Sequence, residues 1–243
     1  MGYNASDSRL AAGTGTVDAR TRTLAAYLAW NGAASYLDLV LTRAWTRFEY
    51  RRELDLSLGQ GPNPLVIDQT FLGEADGRQR GITLSAGYEL TRGGLSFGPY
   101  LRGSWVRQRI DGFVERALFQ RAGTALALRV EAQRLESRQL TAGARVQYAV
   151  STSYGVLLPH AQLEYVREYE DDPLAVVIAL VHDPSAQRFV LPGDPQDRSF
   201  ANLGLGVSAT LAGGRSGFLY YERALGLNGQ RREQLALGLR FEF

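Results

Sequence analysis

The sequence predicts an all-β fold, an antiparallel up-and-down transmembrane β-barrel, and three observations carry that expectation. Side chains alternate between apolar and polar with period two along most of the chain. The polar members of the alternation are mainly small. Short and long connections take turns between the alternating segments.

Period two is the mark of a strand, because successive side chains point to opposite faces. In segment 81–90, Ile82, Leu84, Ala86, Tyr88 and Leu90 form one face; Gly81, Thr83, Ser85, Gly87 and Glu89 form the other. Segment 95–105 sets Leu95, Phe97, Pro99, Leu101 and Trp105 against Ser96, Gly98, Tyr100, Arg102 and Ser104. Segments 139–150, 155–169 and 201–211 repeat the pattern, the last with Leu203, Leu205, Val207, Ala209 and Leu211 opposite Asn202, Gly204, Gly206, Ser208 and Thr210. Segments near 19–30 and 35–50 alternate less neatly. Arg43 falls among Leu37, Leu39 and Leu41, which only an interfacial position would suit. Segment 216–225 is ambiguous in phase, and the carboxylate of Glu222 places Phe218, Tyr220 and Glu222 inward.

The chemistry of the two faces separates this chain from a soluble β-domain. A soluble sandwich buries its apolar face and shows Lys, Glu and Thr to water. Here the polar face is built of Gly, Ser, Thr and Asn with single Arg and Glu residues, and lysine, the usual guard of an exposed sheet edge, is lacking. That distribution suits lipid outside and a narrow wet lumen within. Connections near 31–34, 91–94, 151–153 and 212–215 are short, whereas those near 51–78, 111–134 and 170–198 are long and charged. Two shorter end hairpins, about 9–17 and 226–231, fall on the long-connection side. Transmembrane barrels show this asymmetry, with tight turns on one side of the membrane and long loops on the other.

Composition narrows the function. The 243 residues carry 27 basic and 25 acidic side chains, a net +2 that gives no support for nucleic-acid binding. With no cysteine there are no disulfides, thiolate metal sites or cysteine nucleophiles, and no cofactor is expected. No run of 18 apolar residues is present, so no transmembrane helix is expected. The start, Met1-Gly2-Tyr3-Asn4, lacks the basic and apolar regions of a signal peptide. An exported barrel with this start is expected to be a piece of a longer protein.

The last segment reads QLALGLRFEF. Leu235, Leu237, Leu239, Phe241 and Phe243 share one face, and Gln234, Ala236, Gly238, Arg240 and Glu242 the other. It resembles the C-terminal signal read by the barrel-assembly machinery, which works by pairing an exposed strand with its own open edge. More widely, GRQRGITLSAGYELTRGGLSFGPYLRGSWVRQRIDGFVE, STSYGVLLPHAQLEYVREYEDD and FANLGLGVSATLAGGRSGFLYYERALG resemble the autotransporter translocator domain of type V secretion, across nearly all of residues 1–243. The resemblance implies a barrel of about twelve strands in the outer membrane that anchors and exports an N-terminal passenger, whose end threads the lumen as a helix. About ten strands are counted here, the first near 2–8. The missing first strands, passenger and signal peptide would precede residue 1. The implied partners are outer-membrane lipid, the barrel-assembly machinery and the passenger segment, with no nucleic acid.

Candidate site residues follow from the inward faces. Arg102, Arg145, His160, Glu164, Glu222, Gly238 and Arg240 are expected to line the lumen, as a salt-bridge ladder, as a lining for a passing chain, or as both. His160 beside Gln162 and Glu164 would allow barrel-embedded hydrolysis, yet no Ser or Asp is placed to serve it, so a lumen hydrogen bond is the expectation. His182 reads as an external loop residue. The acidic run 168–173 reads as a solvated loop, and the stretch 59–64 lacks the lysine of a phosphate loop. Trp30, Trp45 and Trp105, near strand ends, suit an aromatic girdle. No catalytic or metal residue is expected. Beside the translocator stand a stand-alone channel or porin-like barrel, a barrel-embedded hydrolase and a soluble sandwich.

Overall fold

The computed structural model describes residues 2–9, 15–59, 64–170, 175–193, 197–228 and 231–241. Ten long strands follow one another in a single antiparallel sheet: β1 (Gly2–Arg9), β2 (Gly15–Asn31), β3 (Ser35–Leu58), β4 (Leu65–Tyr88), β5 (Leu95–Ile110), β6 (Gln133–Tyr148), β7 (Gly155–Glu168), β8 (Ser199–Leu211), β9 (Arg215–Leu225) and β10 (Glu233–Phe241). Every strand pairs with its neighbours in sequence, the meander that an up-and-down barrel requires. Among the described residues no ladder joins β1 to β10, and Phe243 lies outside them. The turn between β8 and β9 places Gly213 and Gly214 at φ 76° and 69°, the left-handed pair that matches strand twist. The ladder lapses at Tyr88–Glu89 beside Pro99, and at Tyr148–Ala149 beside Pro159, because proline has no N–H to give. Each lapse closes without a change of register, at Leu90↔Phe97 and Val150↔Leu157.

The accessible face is the apolar one. In β4, Ile82 and Leu84 are 43% and 47% exposed, while Gly81 is buried and Thr83 and Ser85 are half-buried. This inverts a soluble sheet and holds only where something apolar covers the outer face.

Where the sequence suggests a long loop at 51–78, β3 and β4 run on as a paired ladder out to Leu58↔Leu65. The polarity of the hairpin reverses on the way. Up to Trp45 the outward residues of β3 are mostly leucine; beyond it they are Arg47, Glu49, Arg51, Glu53 and Asp55. The inward side becomes apolar, with Phe48, Tyr50, Phe71 and Ala75, and Phe71 is wholly buried. Alternation of the opposite phase hides this stretch from a pattern search that expects apolar residues outside. At about 3.3 Å per residue a 24-residue strand is roughly 80 Å long, far more than a tilted strand needs to cross a bilayer.

The segments between β5 and β6 and between β7 and β8 are not open loops either. Phe113–Val114, Leu128–Val130, Ala175–Leu180 and Arg188–Pro192 form a second, four-stranded sheet. The first segment is tied to the β3–β4 hairpin by a buried ion pair. Arg52 donates to Glu115 through Nε (2.9 Å) and Nη2 (2.6 Å), and to the Leu126 carbonyl (3.0 Å). Glu115 also accepts the Leu128 N–H at 2.8 Å. Fully buried Gln69 donates to the Phe119 carbonyl at 2.7 Å, and the Tyr50 and Phe113 rings stack at 4.6 Å.

Two outcomes follow for these outer segments. Replacing Glu115 by Ala strands a mostly buried guanidinium and an N–H, costing about 2–3 kcal/mol locally. Hydrogen exchange should rise across 113–130 while the ladders β5–β10 keep their protection; unchanged exchange in 113–130 refutes the tie. The second concerns pH. Asp183 accepts from the Ser185 hydroxyl (2.7 Å) and N–H (2.9 Å) and the Gln187 N–H (3.2 Å), and these bonds hold its carboxyl below the usual aspartate range. A depressed carboxyl stabilises the turn above its ordinary pKa and loses that contribution as pH falls through the folded value. Amide exchange at Ser185 and Gln187, corrected for intrinsic rate, should therefore speed up only below the ordinary aspartate range.

Candidate functional site

Arg102, Arg145, His160, Glu164, Glu222 and Gly238 all lie on the polar face of the sheet. Glu164 on β7 is the centre of the largest group. It is buried, pairs with Arg102 on β5, and accepts the Tyr100 hydroxyl at 2.5 Å and the Asn202 amide at 3.0 Å. Arg232, in the segment before β10, donates to Asn202 at 3.1 Å. A buried carboxylate persists only when its lone pairs are filled, and here arginine, phenol and amide fill them.

The spacing of these partners has a simple cause. Tyr100, Gly143, Glu164 and Asn202 lie side by side on four successive strands. Tyr100 reaches its partner across Gly143, where a Cβ would sit 2.5 Å from the ring. Gln162 likewise donates to Glu222 at 3.2 Å across Gly204, and Tyr220 lies over the same glycine while donating to Glu222 at 2.7 Å. Arg145 pairs with Glu89 at 3.1 Å across Gly98. Each glycine is the gap through which strands two apart are linked. The sequence suggests only that glycine frees space on this face; the space is filled by the neighbours' rings and polar arms.

The remaining expected residues are placed as follows. His160 leans over Gly206, stacks on Tyr220 at 5.9 Å and contacts the Leu158 carbonyl through Nδ1 at 3.2 Å. Together with Glu89, Arg145, Gln162 and Ser208 it bounds a recess of about 220 Å³. Gly238 is covered by the Phe218 ring. Arg240, opposite Ser216, is exposed beside it. Leu235, Leu237 and Leu239 are each 71% exposed and Phe241 57%, on the outward face of β10. Trp30 sits at a strand end as expected, but Trp45 and Trp105 do not, because β3 and β5 continue past them. His182 is exposed between the short strands of the second sheet. Residues 171–174 and 60–63, within two segments the sequence singles out, lie outside the described residues. The sequence puts Tyr100, Gln162, Asn202 and Tyr220 on the polar face, but only the register reveals their partners.

Gly143→Val tests the gap directly. The added side chain drives Tyr100 off Glu164, and the lost charge-assisted bond plus overpacking costs about 3 kcal/mol. Denaturant titration in detergent should show that loss, and adding Tyr100→Ala should recover part of it by clearing the ring. A fully additive double variant refutes the coupling.

No curated protein sequence matches the chain. A family model does: the autotransporter β-domain, over residues 1–222. The match reaches from β1 into β9 and ends before β10. With an inside-out antiparallel meander already established, it shows the fold, the membrane and the general role together. The chain belongs to the autotransporter β-domain family, transmembrane β-barrels that serve as translocators in the Gram-negative outer membrane.

Proposed function

We propose that this barrel anchors and exports a passenger segment placed N-terminal to it, and that residues 1–243 act as one translocator domain. The observation that supports this most directly is the polar face. Its charges, Arg102, Arg145, Glu164 and Glu222, are engaged with neighbours, so the lumen presents satisfied polar groups and small residues to a passing chain. Among the described residues within the membrane span, these four charges are held by their neighbours and give a passing segment little to bind tightly. In this reading Arg102, Arg145, His160, Glu164, Glu222, Gly238 and Arg240 line the passage. The leucines of β10, with Phe241 and the sequence's Phe243, are the signal that the barrel-assembly machinery reads during insertion.

A reporter joined ahead of Gly2 behind an export signal tests the role. External protease should cut the reporter on intact cells that also contain heat-modifiable barrel. Reporter retained in the periplasm beside a correctly inserted barrel sinks the export reading. Leu237→Arg puts a charge on the lipid face, where it costs up to about 2–4 kcal/mol, and should lower inserted barrel roughly tenfold.

A further inference from the structure

All 27 basic residues of the chain are arginine, and one group of them lies where no lumen network can use it. Arg22, Trp45, Arg78, Arg109 and Arg134 occupy adjacent positions on β2 to β6. The next row towards the short turns reads Leu24, Arg43, Arg80, Arg107 and Glu136. These side chains share the outward face with Leu41, Ile82 and Leu84, so they point away from the lumen. Seven arginines therefore meet one glutamate in two neighbouring rows, on a chain whose net charge is only +2.

Their height in the membrane is marked twice. Leu37 to Trp45 on β3 is about nine residues and Leu95 to Trp105 on β5 about eleven, the span of a tilted membrane strand, and tryptophan marks the water boundary. Just beyond Trp45 and Trp105 the strands exchange their apolar and polar faces. The arginines sit at that boundary, on the side of the long connections, where headgroups lie. Arg43, Arg80 and Arg107 are direct cross-strand neighbours, an arrangement of like charges that is unfavourable without anions, and one carboxylate, Glu136 at 3.8 Å from Arg107, serves the three. Among the described residues Arg22, Arg78, Arg80 and Arg134 have no ion pair, whereas Arg20, Arg47 and Arg109 pair with Glu49, Asp76 and Asp111 at 3.6, 3.6 and 3.4 Å, in or next to the row above. A recess of about 580 Å³ opens between Tyr3, Trp45, Arg20, Arg22, Arg47 and Arg78, four arginines against the single carboxylate of Asp76.

We infer that this belt binds the phosphate groups of anionic lipid headgroups in the leaflet on the long-connection side, an inference that rests on the chain being a membrane barrel. The guanidinium fork matches two phosphate oxygens at once, which a lysine ammonium does not. Trp45, under Arg43 at 5.0 Å, holds that fork at the interface, and the leucines below take the acyl chains.

The test uses the chain in nanodiscs of phosphatidylcholine doped with phosphatidic acid, with bound lipid counted by native mass spectrometry. Wild type should retain phosphatidic acid in preference to phosphatidylcholine, and Arg43→Gln/Arg80→Gln/Arg107→Gln should lower that preference roughly a hundredfold. The same three positions changed to Lys keep the charge and lose the fork, giving a loss of roughly tenfold. Arg116→Gln/Arg129→Gln/Arg188→Gln, in the outer segments, should bind like wild type. Equal retention by wild type and both belt variants overturns the belt, as does displacement of phosphatidic acid by an equal concentration of inorganic phosphate. Wild type that never enters the nanodisc sinks the barrel reading itself; wild type that enters and retains both lipids alike sinks only the belt.

Discussion

A backbone crossing hydrocarbon has no water to bond with, so each N–H and C=O must find a partner in the protein. Almost everything in this structure follows from that constraint. It explains why ten strands run in strict sequence order, each pairing with the next without a crossover. It also explains how two prolines are tolerated. Pro99 and Pro159 each open a two-residue lapse near the short turns, and the ladder resumes beyond in unchanged register. A slip of one residue there would send Leu101 inward and Tyr100 and Arg102 into lipid.

Once the ladders have set the backbone, the interior must be made compact without an apolar core. Glycine does this by absence. Gly98, Gly143 and Gly204 let a side chain from one neighbouring strand pass over to the other, so polar bonds tie strands that share no ladder. The aromatic rings lying over glycine at 87, 204 and 238 use the same gaps for packing. The interior is therefore braced sideways by polar bridges. The outside is held by lipid, and removing detergent or lipid would leave leucines more than 40% exposed on nearly every strand.

Much of this was legible in the sequence, for reasons that also explain what was not. Segments 81–90, 95–105, 139–150 and 201–211 show their phase plainly, because lipid selects one face and water the other. The inward choice for Tyr220 and Glu222 matches their bond to each other and to Gln162. The extension of β3 and β4 past Trp45 was hidden because the phase reverses there, and charged residues at 47, 49, 51, 53 and 55 read as loop. The bridges over glycine were hidden for a different reason. Tyr100 and Glu164 are 64 residues apart, and only the register across Gly143 brings them together. The second sheet rests on pairings between two distant segments, Leu128–Val130 with Ala175–Leu180, which no local pattern encodes.

The phase reversal says the most about how one strand serves two solvents. Below Trp45, β3 satisfies its apolar side with lipid; above it, the same strand satisfies its apolar side with Phe71, Phe113 and the segment held by Arg52 and Glu115. Neither arrangement would survive in the other's surroundings: an outward leucine row above the membrane would be bare in water, and an outward Glu49 below it would be bare in lipid. A residue at the boundary has to be acceptable to both. Arginine meets that demand, since its stem lies along apolar surface while its head reaches the interface. Arg43 within a leucine row is then no anomaly of the pattern. It marks the line at which the outward face of the barrel passes from lipid to water.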